Sequence, residues 1–554
     1  MLSPNRLLTG FAVAVVLATT ATAQPANPLP PSAPGNPPDI PYLEEQWELL
    51  WYLNQDVLWK RAAPVHAVTA DDRKRVIEAL RAAAASDYGP ERAAALMALA
   101  KTGDPIVLDL LQAGVDDANL ETRRNALLAL GVLGDASAVD VLATTLDAKA
   151  VEGDLRLAAA FALGLLRTPD VEAGGASPAR AEFERRLEPK AFWAADPRTQ
   201  QGIAYGAGLS GDTALALPLA KLLKSKSAKK NSSVRAFLLL GIGKLRDRAH
   251  ADTLFHALTD DDVNVRRSAI LAVGSLFSGS GNAEAARRLT KLESRENDAV
   301  ATNFANLALG FVGGPDSQRA LAVRTFGERR SGVDPNTLAP RISLGTRSRL
   351  PIAGIALGIA RGTDYRAYFE RTFKEERDQR AKAAFGLGIG MLGHPDSARV
   401  LLAAFKDTAD QRLRTYLALA LGWVKAADAT PLLKEIVVAG SDDELVPACA
   451  QALAAIDPAL AQTLLLERLA RETSAAARSL TLFCLGSVGD RDAIEPIVAV
   501  LANRDGEQAQ VRTYAAIALG MIVDVDRPKR LADVSTLFNF TLDPGMFRGV
   551  LSIP

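Results

Sequence analysis

Cysteine and histidine are almost missing from this chain. Its 554 residues include two cysteines, Cys449 and Cys484, and four histidines, so no disulfide framework of the kind that holds small secreted domains is available. His66, His250, His256 and His394 lie far apart in sequence, and none precedes a glutamate. His250 and His256 are six residues apart, a spacing that does not bring both to one helix face as a metal pair requires. Aromatic residues make up only 6% of the chain, and the β-branched runs that build parallel sheets are scarce. An excess of one charge is also lacking. Lys+Arg and Asp+Glu both number 64, which removes any global field that would steer the chain to nucleic acid or an anionic membrane.

What is present is alanine and leucine, in a chain long enough for several domains or one extended array. Residues 1–23 have the layout of a cleaved secretory signal: Arg6, an apolar stretch from Leu7 to Ala18, and Ala21-x-Ala23 before Gln24. The stretch is too short for the ~20 residues of a spanning helix, and no later segment is apolar for long enough, so the mature chain is expected to lack a transmembrane span. The expected location is periplasmic or extracellular. Residues 24–41 form a proline-rich tether without core-forming residues. Residues 42–70 place Trp47, Leu50, Trp51, Val57 and Leu58 at helical spacing, as an amphipathic cap for the first unit of an array would. Trp47, Trp51, Tyr52 and Trp59 alternatively suit a binding surface for a partner or a sugar.

From 71 to 524 the chain repeats. RRNALLALGVLGD, RRSAILAVGSL, LRTYLALALGWV, ARSLTLFCLGSVGD and VRTYAAIALGMI align at one small residue, and that anchor recurs as Ala100, Gly131, Gly164, Gly208, Gly243, Gly274, Gly310, Gly358, Gly390, Gly422, Ala455, Gly486 and Gly520. Most anchors are 30 to 36 residues apart, with wider gaps that place insertions near 171–198 and 331–350. Each unit reads as two helices joined by acidic turns such as Asp116-Asp117 and Asp442-Asp443, which suit helix N-caps. The second helix carries the anchor near its end. Position −2 is nearly always Ala, Gly or Cys, position −5 is often Ala, and position −8 is basic in Arg92, Arg123, Arg156, Arg235, Arg266, Lys382, Arg414, Arg478 and Arg512. Small residues in those columns allow close helix approach. Residues 525–554 depart from the pattern and supply Leu537, Phe538, Phe540, Met546 and Phe547 as an expected C-terminal cap.

The unit resembles a HEAT repeat, closest to the short type of phycobilisome-lyase-like proteins. That resemblance implies an all-α, right-handed α-α superhelical solenoid of about thirteen helical hairpins, with the second helices on the concave side. It also implies that the basic −8 column forms a structural ladder with turn aspartates, interrupted here at Gln200, Thr302, Leu350 and Pro447. Thirteen units spaced ~8–10 Å apart are expected to make an arc on the order of 100 Å long.

Catalytic chemistry is sparse. No G-x-S-x-G elbow occurs, and Ser210 in GLSGD sits at a repeat position. Gly388-x-Gly390-x-x-Gly393 has dinucleotide-loop spacing, but Gly388 is a −2 residue, Gly390 an anchor and Gly393 a helix-ending glycine. It reads as one more repeat. Cys449 at −6 and Cys484 at −2 of the next unit would be separated beyond the ~7 Å reach of a disulfide, so two free buried thiols are expected. No cofactor or metal is expected. Two basic stretches are the candidate binding residues: Lys224, Lys226, Lys229 and Lys230 in one loop, and Arg329, Arg330, Arg341, Arg347 and Arg349 in the second insertion. The function this predicts is an exported, non-catalytic scaffold that binds a protein or peptide through its concave face and does not bind nucleic acid. A binder of anionic polysaccharide or the cell-envelope surface is the alternative, and a bilin-lyase-like enzyme a remote one.

Overall fold

The computed structural model describes residues 65–166, 175–326 and 350–524. These contain no strand, and every helix belongs to one of thirteen hairpins. The second helices of the hairpins are α1 (Gly89–Lys101), α2 (Leu120–Leu133), α3 (Gly153–Leu165), α4 (Pro197–Leu209), α5 (Ser232–Leu245), α6 (Val263–Leu276), α7 (Ala299–Val312), α8 (Leu350–Ile359), α9 (Gln379–Leu392), α10 (Gln411–Trp423), α11 (Leu445–Ile456), α12 (Ala475–Val488) and α13 (Ala509–Val523). All thirteen anchors fall on them. No helix among the described residues is long and apolar enough to cross a membrane.

Side-chain caps set many of the starts. Asn119 accepts from the backbone N–H of Glu121 and Thr122 to open α2, and Asp262 does the same for Asn264 and Val265 to open α6. The −2 column is small because the anchor of the preceding helix presses on it. A Cβ built on Gly131 would lie 2.6 Å from Cα of Ala162, and one on Gly243 would lie 2.5 Å from Cα of Ala272. These are main-chain atoms that cannot rotate away, so the glycine is a condition of the spacing.

Successive second helices touch along most of their length, whereas successive first helices touch sparsely. The second helices therefore form the inner wall. The stack also closes. α13 packs on α1 as fully as most consecutive pairs pack, and Ile494–Ala502 lies beside Ala70–Ala84. The same anchor contact is used, since a Cβ on Gly520 would lie 2.8 Å from Cα of Ala98, the −2 residue of the first unit. Around it Arg491 pairs with Asp72 at 2.8 Å, Arg75 pairs with Glu495, and Arg73 donates to the Val523 carbonyl at 2.9 Å.

The all-α solenoid of HEAT-like hairpins is as expected, but it is a ring and not an open arc. The expected caps, 42–70 and 525–554, lie outside the described residues except for 65–70. The two end faces they were expected to cover instead cover each other. Residues 180–194, read in the sequence as part of an insertion, form the first helix of the fourth hairpin, broken into Arg180–Leu187 and Pro189–Ala194 where Pro189 cannot donate. The ring has one shallow joint, between α11 and α12. Beneath it lies buried Arg468, which donates to the carbonyls of Val437 at 2.6 Å and Gly440 at 2.8 Å and to Oγ1 of Thr481 at 3.1 Å.

Candidate functional site at the mouth of the ring

The contacts of the inner helices fix which positions face inward. Arg414, at −8, lies over the Phe405 ring 4.9 Å from its centroid, and Thr481, at −5, meets Arg468; both partners are on first helices. At 100° per residue, −3 points away from that side into the lumen, and +1 does so at the C-terminal mouth. The −3 column is a large apolar side chain or Tyr in twelve of thirteen units, Ala452 being the exception.

The +1 column is half-buried and apolar in five successive units: Phe311, Ile359, Met391, Trp423 and Ile456. Anchor glycines seat these side chains, since a Cβ on Gly390 would come 2.9 Å from Cε3 of Trp423. The result is an apolar arc along one side of the mouth. The run is visible in the sequence one residue past the anchor, outside the −8, −5 and −2 columns that carry the repeat.

The basic −8 residues mostly staple one loop to the next. Arg92 reaches Asp117 at 2.8 Å and its own Ser86 carbonyl at 2.9 Å, and that guanidinium holds the Asp117 carboxyl below its ordinary range. Arg123 reaches Glu152 at 3.5 Å, Arg156 reaches Asp196 at 3.0 Å, Arg235 reaches Asp260 at 2.9 Å and Arg266 reaches Glu296 at 2.8 Å. Arg478 pairs with Glu507, and Arg512 with Glu91 of the first unit at 3.0 Å. Lys382 instead lies over Phe373, 5.3 Å from its centroid, as Arg414 lies over Phe405. Gln200 turns its amide to the Ala195 carbonyl at 2.7 Å, and Thr302 its hydroxyl to the Asp298 carbonyl at 2.9 Å. Lys224, Lys226, Lys229 and Lys230 are exposed in the loop before α5, at the opposite mouth. Arg329, Arg330, Arg341, Arg347 and Arg349 lie outside the described residues.

The closure brings together one set of metal-ligating types, His66, Asp490 and Asp492, whose ligand atoms lie within 4.8 Å of one another. Sequence could not pair residues 424 apart. Asp490 is already engaged: Oδ2 accepts from the His66 N–H at 2.8 Å, and Oδ1 accepts from Gln462 Nε2 at 2.8 Å and from the Asp492 N–H at 3.0 Å. Its donors make it a clasp of the seam. The dinucleotide-like glycines sit in and at the end of α9, where Gly393 caps the helix with φ +69°.

Cys449 and Cys484 are buried and unbonded. Burial pushes the Cys484 thiol up to about 12 and the Cys449 thiol higher still, so little reactive thiolate forms near neutrality. A disulfide reagent such as Ellman's is expected to label neither thiol in the folded protein and both in denaturant. Rapid labelling without denaturant would contradict this burial.

Glu444, at the start of α11, is the strongest titrating group on the N-terminal mouth. Burial first, then the neighbouring Asp442 and Asp443 charges, push its carboxyl up to about 7. A raised acid releases its proton in the unfolded chain before it does so in the fold. Stability should therefore fall as pH rises from the ordinary glutamate value to about 7 and level off above it, by on the order of 1 kcal/mol after discounting for partial exposure. Urea midpoints across that window check this, and Glu444→Gln should flatten the dependence.

Residues 77–164, 216–310 and 370–454 match the family described as HEAT repeats. No curated protein matches the chain. Among solved structures, human deoxyhypusine hydroxylase in complex with glycerol is similar at 17% identity and a TM-score of 0.23, covering 53% of this chain and 98% of that one. The complex of CpcE and CpcF of phycocyanin lyase from a Nostoc species is similar at 20% identity and a TM-score of 0.30, covering 48% of this chain and 98% of that one. Neither carries an argument about activity.

Proposed function

Because the chain is a HEAT-repeat protein whose solenoid closes into a ring, we propose that it is an exported, non-catalytic scaffold that holds an apolar segment of a protein or peptide partner at the mouth of the ring. The half-buried arc from Phe311 to Ile456 supports this reading. Five neighbouring large side chains, held on rigid helices around a concave edge, offer a partner an apolar strip that no isolated surface residue offers. The concave face expected from the sequence is here the inner wall of a ring, and the arc lies at its mouth. Export rests on the signal-like residues 1–23, and the proline-rich tether would hold the ring away from whatever anchors its N-terminus.

The test is capture by the mature chain from the envelope fraction of an exporting cell, with Trp423→Ser and Met391→Ser run in parallel. Loss of a specific partner from those variants, with retention by a chain in which Lys224, Lys226, Lys229 and Lys230 are all alanine, supports the arc. The reverse pattern rejects it and favours the second reading, an anionic polysaccharide or envelope surface held by the exposed lysine loop. Salt-dependent retention of the wild type on an anionic matrix would accompany that outcome. A bilin-lyase-like activity returns only if turnover is detected.

A further inference from the structure

Two hairpins bury an aspartate at the same place in the repeat, and one of them supplies it with a counter-charge. Asp212 and Asp490 each lie four residues past an anchor and are 2% and 3% exposed. Each caps the short helical turn that follows, accepting from the N–H of Ala214 or of Asp492. Asp212 meets a cation, because Arg180 on the first helix of its hairpin donates Nε and Nη2 to the two carboxylate oxygens at 2.6 Å. For Asp490 the first helix, Pro458–Arg471, offers neutral Gln462 instead. Its Nε2 donates to Oδ1 at 2.8 Å, and its Oε1 accepts from the Asp490 N–H at 2.6 Å. Among the described residues no Lys or Arg pairs with Asp490 or Asp492, and Arg491 between them turns to Asp72 at 2.8 Å. A buried carboxylate without a counter-charge is costly, and a second carboxylate stands beside this one.

We propose that the seam binds a divalent transition-metal ion, with Zn2+ the best fit, through Nδ1 of His66 and one carboxylate oxygen each from Asp490 and Asp492. Nδ1 lies 2.9 Å from Oδ2 of Asp492 and 3.8 Å from Oδ2 of Asp490, and the three ligand atoms are all within 4.8 Å of one another. Tetrahedral ligands about 2.0–2.2 Å from zinc stand ~3.3 Å apart, so an ion fits among them after small side-chain rotations. His66 and Asp492, 58% and 53% exposed, can make those rotations, while Asp490 is held. Its Oδ1 is spent on Gln462 and the Asp492 N–H, but Oδ2 accepts from the His66 N–H alone and keeps a lone pair. Gln462 thus orients the carboxylate as outer-shell partners orient metal ligands. An imidazole nitrogen among the donors favours zinc over calcium or magnesium, which take oxygen. The exposed side leaves a fourth position for water.

The site exists only in the closed ring. His66 leads into Ala70–Ala84, the first helix of the first hairpin, and Asp490 and Asp492 lead into Ile494–Ala502, the first helix of the last. These are the two outer helices that meet at the seam. Opening the ring separates the imidazole from both carboxylates, so an ion bound by all three holds the ends together. A ligand that binds the closed form and not the open one favours closure in proportion to its concentration, which makes the ring responsive to available metal. This inference concerns the seam and is independent of what the mouth binds.

The test uses the full mature chain without a histidine tag, stripped with EDTA and titrated with Zn2+ against a chromophoric chelator. One ion per chain is expected to bind and to raise the melting temperature. His66→Ala and Asp492→Asn change exposed side chains and should leave the fold intact. Each should weaken Zn2+ binding by more than the roughly tenfold that losing an outer-shell partner costs, and should abolish the rise in melting temperature. His394→Ala removes a lone pairing with Asp396 at 3.6 Å and should alter neither readout. Wild-type binding no tighter than that of the His66→Ala, Asp492→Asn double variant overturns the proposal. So does a rise in melting temperature that survives His66→Ala. Displacement of Zn2+ by an equimolar amount of Ca2+ or Mg2+ also overturns it, since that would mark an acidic surface without a nitrogen ligand.

Discussion

Replacing Gly520 with alanine is expected to open the ring. The new Cβ would sit 2.7 Å from the Cβ and 2.8 Å from the Cα of Ala98, inside any tolerable contact. Neither atom can rotate out of the way, so α13 and α1 must separate. Overpacking of this kind costs about 1–3 kcal/mol at an ordinary core position. The same substitution at Gly243 meets an equally close backbone, 2.5 Å away at Ala272, but there the flanking hairpins are joined covalently and stay adjacent. At the seam no such link exists. Gly520→Ala should therefore raise the radius of gyration by small-angle scattering while leaving helix content nearly unchanged, and Gly520→Val should do so more strongly. Gly243→Ala should lower thermal stability without expanding the particle. Ala98→Gly placed in the Gly520→Ala chain removes the contact with the Ala98 Cβ but leaves the one with its Cα at 2.8 Å, so it should restore compactness only in part. If both glycine variants expand the particle equally, or neither does, the seam is not the weakest junction.

Ring closure also shows what the sequence could and could not say. The anchor and −2 columns were readable because each is a local regularity repeated thirteen times, and their contact is the one that spaces the helices. The same columns held the closure in plain sight, since Gly520 and Ala98 are an ordinary anchor and an ordinary −2 residue. Nothing local distinguishes a last unit that faces solvent from one that faces the first. Whether a solenoid closes depends on the sum of small rotations between hairpins, and that sum is set by insertions and shallow joints such as the one between α11 and α12. The aromatic segment from Trp47 to Trp59 suggested a cap because an open stack needs one. With the ends joined, that requirement disappears and the segment's apolar stripe needs another explanation. The mouth arc was legible in principle at +1, while the His66–Asp490–Asp492 clasp was not, because it exists only after closure.

Removing Glu91 is expected to be the most destabilising single side-chain deletion at the seam. Its carboxylate is 0% exposed. It accepts from Nε and Nη2 of Arg512 at 3.2 and 3.0 Å and from the Ser86 hydroxyl at 2.9 Å. Arg512, 8% exposed, spends another donor on the Glu507 carbonyl at 2.6 Å. Glu91→Ala would leave that guanidinium buried without its counter-charge, a loss of about 3–5 kcal/mol in comparable buried pairs. The Arg123–Glu152 pair, whose glutamate is 54% exposed, gives a contrast: Glu152→Ala should cost about 0–1 kcal/mol. A solenoid need not unfold in one step, so the loss should appear first as faster amide exchange in α1 and α13, with the middle of the ring unaffected. Pairing Glu91→Leu with Arg512→Met removes both charges together. Because desolvating two ions offsets much of their attraction, the double variant should recover most of the stability that Glu91→Ala loses. A double variant as unstable as Glu91→Ala would mean that the pair itself, and not the avoidance of a stranded charge, holds the seam.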